Sequence, residues 1–429
     1  MKKILMFKLK LFARLIVKKY KPQIIGITGS IGKTSAKEAI YFVLQNKFNV
    51  RMSPKNYNSE IGLPLSIIGA TAGGRDPLAW LHVFWCAGKL LLIRDKNYPS
   101  ILILEMGVDH PGDMAYLTSI APPMLGVVTG VSYAHLEFFG SLENTKKEKQ
   151  VLVEQVDKQG LSILNYDNEY SREMANVSRA RVLTYGLQEG ADLRAQDLVF
   201  NFTKGNYELA GINFKLNDRG SIVPVFMKNL ITHSAIYAAL VAAAVGRHLG
   251  LNLVEIAKAL SDYSLPPGRM NILPGIKHTF IIDDTYNSSP EAAIMALDIL
   301  SRLKIESPAA KYAVLGDMLE LGNYTEEGHR EVGIKAGSIG LDCLIAVGER
   351  SRALMRGASE AGLDDGCLFY FDKAEEAGRF LQNRLKAGDV VLVKGSQGMR
   401  MEKIVKEIMA EPEQAEKLLV RQGKDWDNA

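Results

Sequence analysis

The fold of this chain is decided by the stretch Ile24-Ile25-Gly26-Ile27-Thr28-Gly29-Ser30-Ile31-Gly32-Lys33-Thr34. Its apolar start predicts a buried β-strand, and its glycine-rich end, which closes on Gly-Lys-Thr, is typical of a loop that cradles nucleotide phosphates. We expect the backbone N–H groups of Gly29, Ser30 and Gly32 to face the phosphates. The Lys33 ammonium would reach the β- and γ-phosphates, and the Thr34 hydroxyl would bind Mg²⁺. The stretch therefore predicts ATP and Mg²⁺ as cofactors.

The glycine spacing of this loop is unusual. A phosphate cradle normally follows the pattern G-x-x-x-x-G-K-[ST], but Ile27 holds the place of the first glycine, and the nearest earlier glycine is Gly26. An ordinary strand-turn-helix connection is the alternative. The apolar strand before the loop and the helix-like Ser35–Ile40 after it favour the nucleotide site.

The positive charge of the chain is concentrated near its start. The net charge is +4, but residues 1–21 carry eight Lys or Arg and no acid, which leaves 44 basic and 48 acidic groups in the rest. A body of net negative charge argues against nucleic-acid binding. Cys86, Cys343 and Cys367 are too few and too scattered for a disulfide framework or a thiolate metal site, which favours a reducing cytoplasm.

Residues 1–21 predict a basic amphipathic leader helix. Cations fall near one side and apolar residues near another: Lys3, Lys10, Arg14, Lys18 and Lys21 against Leu5, Leu9, Phe12 and Ile16. The leader could lie on an anionic membrane as an interfacial helix, or pack on the body by its apolar side. It does not resemble a signal peptide, because cations interrupt the apolar run. The apolar stretch 78–93 is short for a membrane span and predicts a buried or surface-docked helix.

Alternation of strands and helices predicts an α/β fold with two domains. After the phosphate loop, apolar strand-like runs occur at 101–104, 125–129 and 161–165, which predicts a mostly parallel sheet covered on both faces. Short alternating segments over 185–225 predict antiparallel hairpins at the sheet edge, followed by an alanine-rich helix over 235–249.

The strand-helix pattern restarts after Leu265-Pro266-Pro267-Gly268, which we interpret as a linker. Further apolar runs lie at 280–284, 312–317, 343–348 and 390–395. We therefore predict a leader (1–21), a P-loop central domain (22–265) and a C-terminal Rossmann-like α/β domain (266–429).

Two polar side chains follow neighbouring strands of the predicted central sheet. Glu105 ends the run 101–104, and His135 lies beyond the run 125–129. Carboxyl ends of parallel strands meet at one edge of a sheet, so the two could hold a Mg²⁺ ion or its water shell beside the phosphate loop. Taken alone, each could equally be an ordinary strand-end or loop residue.

Seven motifs in this order resemble the Mur ligase family: GITGSIGKT (26–34), NYNSEIGLP (56–64), LEMG (104–107), HLEFFGSL (135–142), DTYNSSP (284–290), LGDMLELG (315–322) and KGS (394–396). The resemblance covers residues 22–410 and is strongest to the ligases that add D-alanyl-D-alanine to a muramoyl-tripeptide. It implies an ATP-dependent amide ligase of peptidoglycan precursor synthesis. ATP would convert a substrate carboxylate into an acyl phosphate, and an incoming amine would attack that carbonyl.

The resemblance also implies roles for particular residues. Lys149, which follows His135 by 14 residues, would be a carbamylated lysine that supplies an anionic oxygen to a second Mg²⁺. A solvated lysine in a basic run is the alternative. Arg269 would meet the γ-phosphate only when the domains close. The implied sets are catalytic Lys33, Lys149 and Arg269; ATP-binding Gly29, Ser30, Gly32, Lys33, Thr34, Asp284 and Asn287; metal-binding Thr34, Glu105, His135 and Lys149; and substrate-binding Asn56, Asn58 and Glu60.

Two departures from the family pattern leave alternatives open. His233-Ser234 stands where the family has His-Asn, so we assign no adenine contact to Tyr237. The phosphate loop begins at residue 26, which implies that the N-terminal UDP-binding domain of the family is missing. The chain could thus be a related ligase for another carboxylate, such as a membrane-held muropeptide, or a catalytically silent nucleotide-binding partner. We expect a monomer in the cytoplasm, with peripheral contact to the inner face of the membrane through residues 1–21.

Overall fold

The structure is a computed structural model that describes residues 2–54, 57–74, 76–132, 139–201, 211–228, 230, 232–263, 265–303, 305, 308–423 and 426. The chain divides into two compact units. The first comprises Met1–Val199, Asn213–Met227 and His233–Tyr263, and the second comprises Phe200–Ile212, Lys228–Thr232 and Ser264–Ala429.

The first unit contains all of a nine-stranded sheet except a few residues at the ends of its last three strands, and the strand order is β2-β3-β1-β4-β5-β6-β7-β8-β9. Its strands are β1 (Gln23–Thr28), β2 (Val50–Met52), β3 (Ile101–Glu105), β4 (Leu125–Val128), β5 (Leu161–Asn165), β6 (Arg181–Gly186), β7 (Leu193–Asn201), β8 (Gly211–Asp218) and β9 (Ser221–Lys228). Its helices are α1 (Lys2–Tyr20), α2 (Lys33–Leu44), α3 (Gly62–Ile68), α4 (Pro77–Leu92), α5 (Asp113–Ile120), α6 (Leu142–Glu154), α7 (Glu169–Glu173), α8 (His233–His248) and α9 (Leu253–Ser261), with a 3₁₀ turn at Met174–Val177.

The strands around β1 are parallel and buried on both faces, as the sequence predicts. β1 pairs with β3 on one side and β4 on the other. Ile24, Leu102 and Leu104 face a core that includes α1, α3, α4 and α5. Because strand side chains alternate, the fully buried Ile25 and Ile27 face the opposite side. The sheet order places β1 at the point where successive connections run to opposite sides, which is where open α/β sheets bind ligands.

The predicted antiparallel edge is present at β8 and β9. These strands are hydrogen-bonded neighbours joined only by Arg219 and Gly220. Both residues have positive φ, 50° and 96°, the backbone of a tight two-residue hairpin turn. A connection of two residues can join only antiparallel strands.

The second unit is a six-stranded sheet in the order β10-β11-β15-β12-β13-β14, parallel except for the antiparallel pair β10 and β11. Its strands are β10 (Asn271–Gly275), β11 (Thr279–Asp284), β12 (Lys311–Gly316), β13 (Cys343–Val347), β14 (Leu368–Phe371) and β15 (Val390–Lys394). Its helices are α10 (Pro290–Arg302), α11 (Thr325–Ser338), α12 (Arg352–Glu360), α13 (Ala374–Arg384), α14 (Glu402–Ile408) and α15 (Ala415–Leu418), with 3₁₀ turns at Ile276–His278, Gly322–Tyr324, Asp365–Cys367, Gln397–Met399 and Pro412–Gln414.

Two apolar layers cover this second sheet, which confirms the predicted α/β class. Ile282 and Leu392 face a core formed with α10, α11 and α12. Their chain neighbours Ile281 and Val393 face the opposite core, formed with α13 and α14. Strands buried on both faces explain why the sequence shows continuous apolar runs and not alternation.

The leader forms a helix, α1, as predicted. Its exposed side, however, carries apolar residues as well as cations. Leu9 and Ile16 are fully buried in the core of the first unit, and Leu5 and Phe12 pack against it. The second interpretation of the leader, packing by this apolar side, is therefore the one that the structure shows. A different set of α1 residues faces solvent.

Helix α4 lies on the surface of the first unit. It buries Val83 and Ala87 and leaves Leu78 and Trp85 exposed. Among the described residues, no helix combines the length and apolarity needed to cross a bilayer.

Candidate active site

The glycine-rich loop between β1 and α2 has a backbone that only glycine adopts easily. Gly29 has a φ of 143° and Gly32, which precedes α2, a φ of 84°. A Cβ atom at Gly29 would lie 1.9 Å from Thr129 Oγ1. The loop is held against the end of β4, since Ser30 N donates to Gly130 O at 2.8 Å and Ser132 N donates to Ser30 Oγ at 3.0 Å.

Gly29→Ala is expected to weaken nucleotide binding more strongly than Gly32→Ala. Both changes strain a positive φ, by about 1–3 kcal/mol each, but only the first also forces a clash with Thr129. At Gly32, the nearest atom to an added Cβ is 3.8 Å away. ADP titration by calorimetry measures the difference. Equal affinities for the two variants would contradict the packing argument.

The polar side chains of the loop and of α2 point to one region. Lys33 Nζ donates to Gly29 O at 2.6 Å and to Ser30 O at 3.4 Å, so its ammonium lies over the loop. The buried Thr34 donates its hydroxyl to Glu105 Oε2 at 3.1 Å. The structure therefore brings the predicted cradle residues and Glu105 together.

Lys37 is a member of this site that the sequence reasoning missed. Its Nζ lies 3.4 Å from Glu105 Oε2, and both side chains are buried. Asn58 Nδ2 donates to Glu105 Oε1 at 3.4 Å. The signal was present, because Lys37 follows Thr34 by three residues and so shares its face of α2. The sequence did not indicate that this face of α2 lies against Glu105.

Lys149 is buried, contrary to the alternative of a solvated lysine. It lies on α6 with 1% of its surface exposed, while Lys147 on the same helix is exposed. The neighbouring Glu148 fixes α6 to the start of α5 by accepting from Gly112 N at 2.9 Å and Met114 N at 2.7 Å. Burial, reinforced by the positive charge of Lys33, lowers the pKa of Lys149 to about 7. A large part of this amine is therefore neutral near pH 7, the form that reacts with CO₂.

The oxygen atoms around Glu105 are of the kind that Mg²⁺ binds. The Thr34 hydroxyl and the Glu105 carboxylate are 3.1 Å apart and buried beside the phosphate loop. Within the described ranges, no group of three or more His, Cys, Asp or Glu side chains could hold a metal. Lys149, which is predicted to supply carbamate oxygens, lies on α6. His135, the other predicted ligand, lies outside the described residues.

The predicted substrate residues are only partly placed. Asn58 lies at Glu105, and Asn56 is outside the described residues. Glu60 is close enough to Tyr116 for its negative charge to help raise the pKa of that phenol, although burial is the larger cause. Glu60 thus lies near α5, whereas Asn58 contacts the carboxylate of Glu105.

A loop after β5 also belongs to the site and was not predicted. Asn165 Nδ2 donates to Thr129 O at 2.8 Å, and Asn168 Oδ1 accepts from Val131 N at 3.1 Å, so these residues fix the segment that follows β4. Tyr237 donates its hydroxyl to Asp167 Oδ2 at 2.7 Å. This bond gives Tyr237 a structural partner.

The second unit contains the other predicted nucleotide residues. The Arg269 guanidinium lies 3.9 Å from the ring centroid of Tyr286, and its buried Nε has no hydrogen-bond partner among the described residues. Asp284 accepts from Lys394 Nζ at 2.6 Å and from Met270 N at 3.2 Å. Lys394 also donates to Asn287 O at 2.9 Å, so one buried cation orders both predicted residues.

Comparison with known proteins agrees with this arrangement. Residues 88–246 match the Mur ligase middle domain, and residues 268–397 match the Mur ligase, glutamate ligase domain. The UDP-N-acetylmuramoyl-tripeptide–D-alanyl-D-alanine ligase of Bacillus subtilis is 27% identical over 390 residues, which cover 91% of this chain and 76% of the relative. The enzyme of that name from Mycobacterium bovis is 32% identical over 391 residues, covering 87% and 70%.

A solved structure shows the same fold. The MurF ligase from Thermotoga maritima in complex with ADP superimposes with a TM-score of 0.76 at 28% identity, over 95% of this chain and 84% of the relative.

Proposed function

This chain belongs to the Mur ligase family, and we propose that it catalyses the ATP-dependent addition of D-alanyl-D-alanine to a muramoyl-tripeptide. Relatives that bear this activity in their names match most of its length, and the chain is an ATP-dependent ligase of peptidoglycan precursor synthesis. The observation that carries the residue assignments is the buried Thr34–Glu105–Lys37 cluster next to a phosphate loop.

The chemistry proceeds in two steps. The γ-phosphoryl group of ATP passes to an oxygen of the tripeptide carboxylate, which gives an acyl phosphate and ADP. The free amine of the dipeptide then attacks the activated carbonyl and loses one proton, the amide bond forms, and inorganic phosphate leaves with the C–O bond electrons. We propose that Lys33 stabilises the charge that spreads over the phosphoryl oxygens during transfer, since its ammonium already lies over the loop.

The Mg²⁺ ions that phosphoryl transfer requires would be held by Thr34, Glu105 and a carbamate on Lys149. A Mg²⁺ ion held there would neutralise part of the negative charge of the phosphates. Lys37 and Asn58 hold the two oxygens of Glu105 in a fixed orientation. The neutral amine of Lys149 can add CO₂, lose one proton and become an anionic oxygen donor in a buried position.

A product-identified ligation assay tests the proposed function. Purified protein receives ATP and Mg²⁺ with UDP-linked tripeptide, lipid-linked tripeptide or tripeptide alone, each with and without D-alanyl-D-alanine. We expect pentapeptide and phosphate in equal amounts only when both peptide substrates are present. ADP formation with a different carboxylate acceptor would assign another ligase substrate. Nucleotide binding without ADP formation under every condition would make the chain a silent nucleotide-binding protein.

Arg269→Ala is expected to lower kcat by about 10³-fold while changing ATP affinity much less. A half-buried guanidinium whose Nε has no hydrogen-bond partner in the described part of the chain is suited to a developing negative charge, and arginines that act in this way contribute mainly at the transition state. Single-turnover ADP formation and ATP titration separate the two effects. Arg352→Ala is the matched control, because Arg352 lies 4.2 Å from the Tyr370 ring centroid in a similar stack. If ATP affinity fell as far as turnover, the proposed role would be wrong.

We also propose that the enzyme acts as a monomer in the cytoplasm. The free cysteines Cys86, Cys343 and Cys367 suit a reducing compartment, and ATP is available there. Light scattering of the purified protein over a range of concentrations measures the oligomeric state, and a constant mass equal to two chains would contradict the proposal.

A further inference from the structure

The exposed apolar side chains of this protein are concentrated on two helices. Fifteen large apolar side chains are exposed among the described residues, and nine of them lie on α1, on α4 and directly after α4. We call these nine the apolar platform: Ile4, Phe7, Leu11, Leu15, Leu78, Leu81, Trp85, Leu92 and Ile93. Their exposed fractions run from 42% for Leu15 to 87% for Leu92. Exposed apolar side chains collected in this way mark an interaction surface.

The platform is a fixed part of the first unit. The rings of Phe12 and Phe84 are 5.7 Å apart, which joins α1 to α4. Lys19 Nζ donates to Leu90 O at 2.9 Å and Leu91 O at 2.8 Å, and Tyr20 Oη donates to Leu90 O at 3.0 Å. The opposite sides of both helices are buried in one core. Platform residues repeat at helical spacing, 4-7-11-15 on α1 and 78-81-85-92 on α4, so each helix presents one apolar stripe away from that core.

Cations lie beside both stripes. Neither α1 nor α4 contains an acidic residue. Lys8, Arg14 and Lys18 are exposed beside the α1 stripe, and Lys89 lies 5.4 Å from the Trp85 ring centroid. A groove of about 510 Å³ runs between α1 and the end of α5, and three cations and three platform residues contribute to its lining: Lys10, Arg14, Lys18, Phe7, Leu11 and Leu15.

We propose that the apolar platform is a docking face for a membrane that contains anionic lipids. Apolar stripes bordered by cations are the pattern of helices that lie in the interface of a bilayer, with Trp and Lys at the headgroup level. The cations of α1 would pair with lipid phosphates, and the groove would receive part of a headgroup and its chain. Docking at this surface would place the ligase at the membrane. This proposal does not depend on which peptide substrates the enzyme joins.

Vesicle co-sedimentation tests the proposal with the full chain. Vesicles of phosphatidylcholine alone are compared with vesicles that also contain phosphatidylglycerol, and binding is expected only to the second kind at physiological salt. The variant Leu11→Ser/Trp85→Ser is expected to bind at least about tenfold more weakly. Its matched control is Val254→Ser/Met295→Ser, which changes two exposed apolar residues off the platform and should bind as the wild type does.

The charge contribution has its own matched pair of variants. Arg14→Gln/Lys18→Gln should weaken binding by about fivefold per charge removed, whereas Lys373→Gln/Lys386→Gln should leave it unchanged. The fluorescence of Trp85 gives a direct readout. Lipids brominated near the headgroup should quench the fluorescence of the wild type more strongly than that of Trp85→Phe. Equal quenching of the two proteins would show that docking occurs elsewhere. Ligation of soluble substrates should be unaltered in every variant.

The proposal is overturned by three results. The first is absence of binding to anionic vesicles, and the second is binding that Leu11→Ser/Trp85→Ser does not weaken. The third is a dimer in solution that this variant abolishes, since the platform would then be covered by a second copy of the chain.

Discussion

Lys33→Ala is expected to reduce the rate of ADP formation by about 10²- to 10³-fold, which corresponds to about 3–4 kcal/mol of transition-state stabilisation. The side chain is half-buried, donates hydrogen bonds to the carbonyls of the loop residues Gly29 and Ser30, and is not part of the buried apolar cores. Its charge is needed chiefly while the phosphoryl group moves. Rapid-quench measurement of the first turnover gives the effect on transfer itself.

Two controls define this result. Lys158→Ala removes an exposed lysine of the same unit and should retain full activity. Thermal unfolding of Lys33→Ala should match the wild type closely. A correctly folded Lys33→Ala enzyme that forms ADP at the normal rate would show that the loop does not bind the transferred phosphate.

Lys149→Ala is expected to lower ligase activity by about 100-fold or more, because the carbamate oxygens proposed for the metal site would be lost. Lys149→Met should be equally inactive but better folded, since methionine fills the buried space with an apolar chain. Lys147→Ala is the matched control on the same helix. Its side chain is exposed, and its loss should not change activity.

Chemical rescue distinguishes a carbamate from a structural lysine. Acetate or formate should restore part of the activity of Lys149→Ala, because a small carboxylate can occupy the space of the missing group. It should not rescue Lys149→Met, in which that space is filled. Removal of CO₂ and bicarbonate should slow the wild-type enzyme and leave both variants unaffected. Full activity in Lys149→Ala would exclude any role for this residue in metal binding.

Local patterns account for what the sequence predicted correctly. The continuous apolar runs at 101–104 and 390–395 reflect strands buried on both faces, and their positions agree with β3 and β15 within a residue. The phosphate loop was recognisable despite its spacing, because Gly29 and Gly32 stand where positive φ is needed. These features depend on residues close together in the chain, so their signal is local.

Contacts between distant segments account for what the sequence missed. Lys37 joins the site only because β3 lies beside β1 and brings Glu105 to α2. The low pKa of Lys149 arises from burial, which a basic run of sequence could not reveal. Helix α1 has apolar residues on two sides, and the sequence alone could not say which side is buried. The structure shows that the core covers Leu9 and Ile16 and leaves Phe7 and Leu11 exposed.

The sequence by itself determined the α/β class, the phosphate loop and the family, because glycine positions, apolar runs and ordered motifs are properties of the chain alone. Tertiary structure decided which charged groups meet, which lysine has a lowered pKa and which apolar stripes remain at the surface. The physical reason is that burial and ion pairing depend on the order of strands in the sheet and on the helices packed over it. No stretch of neighbouring residues encodes that order.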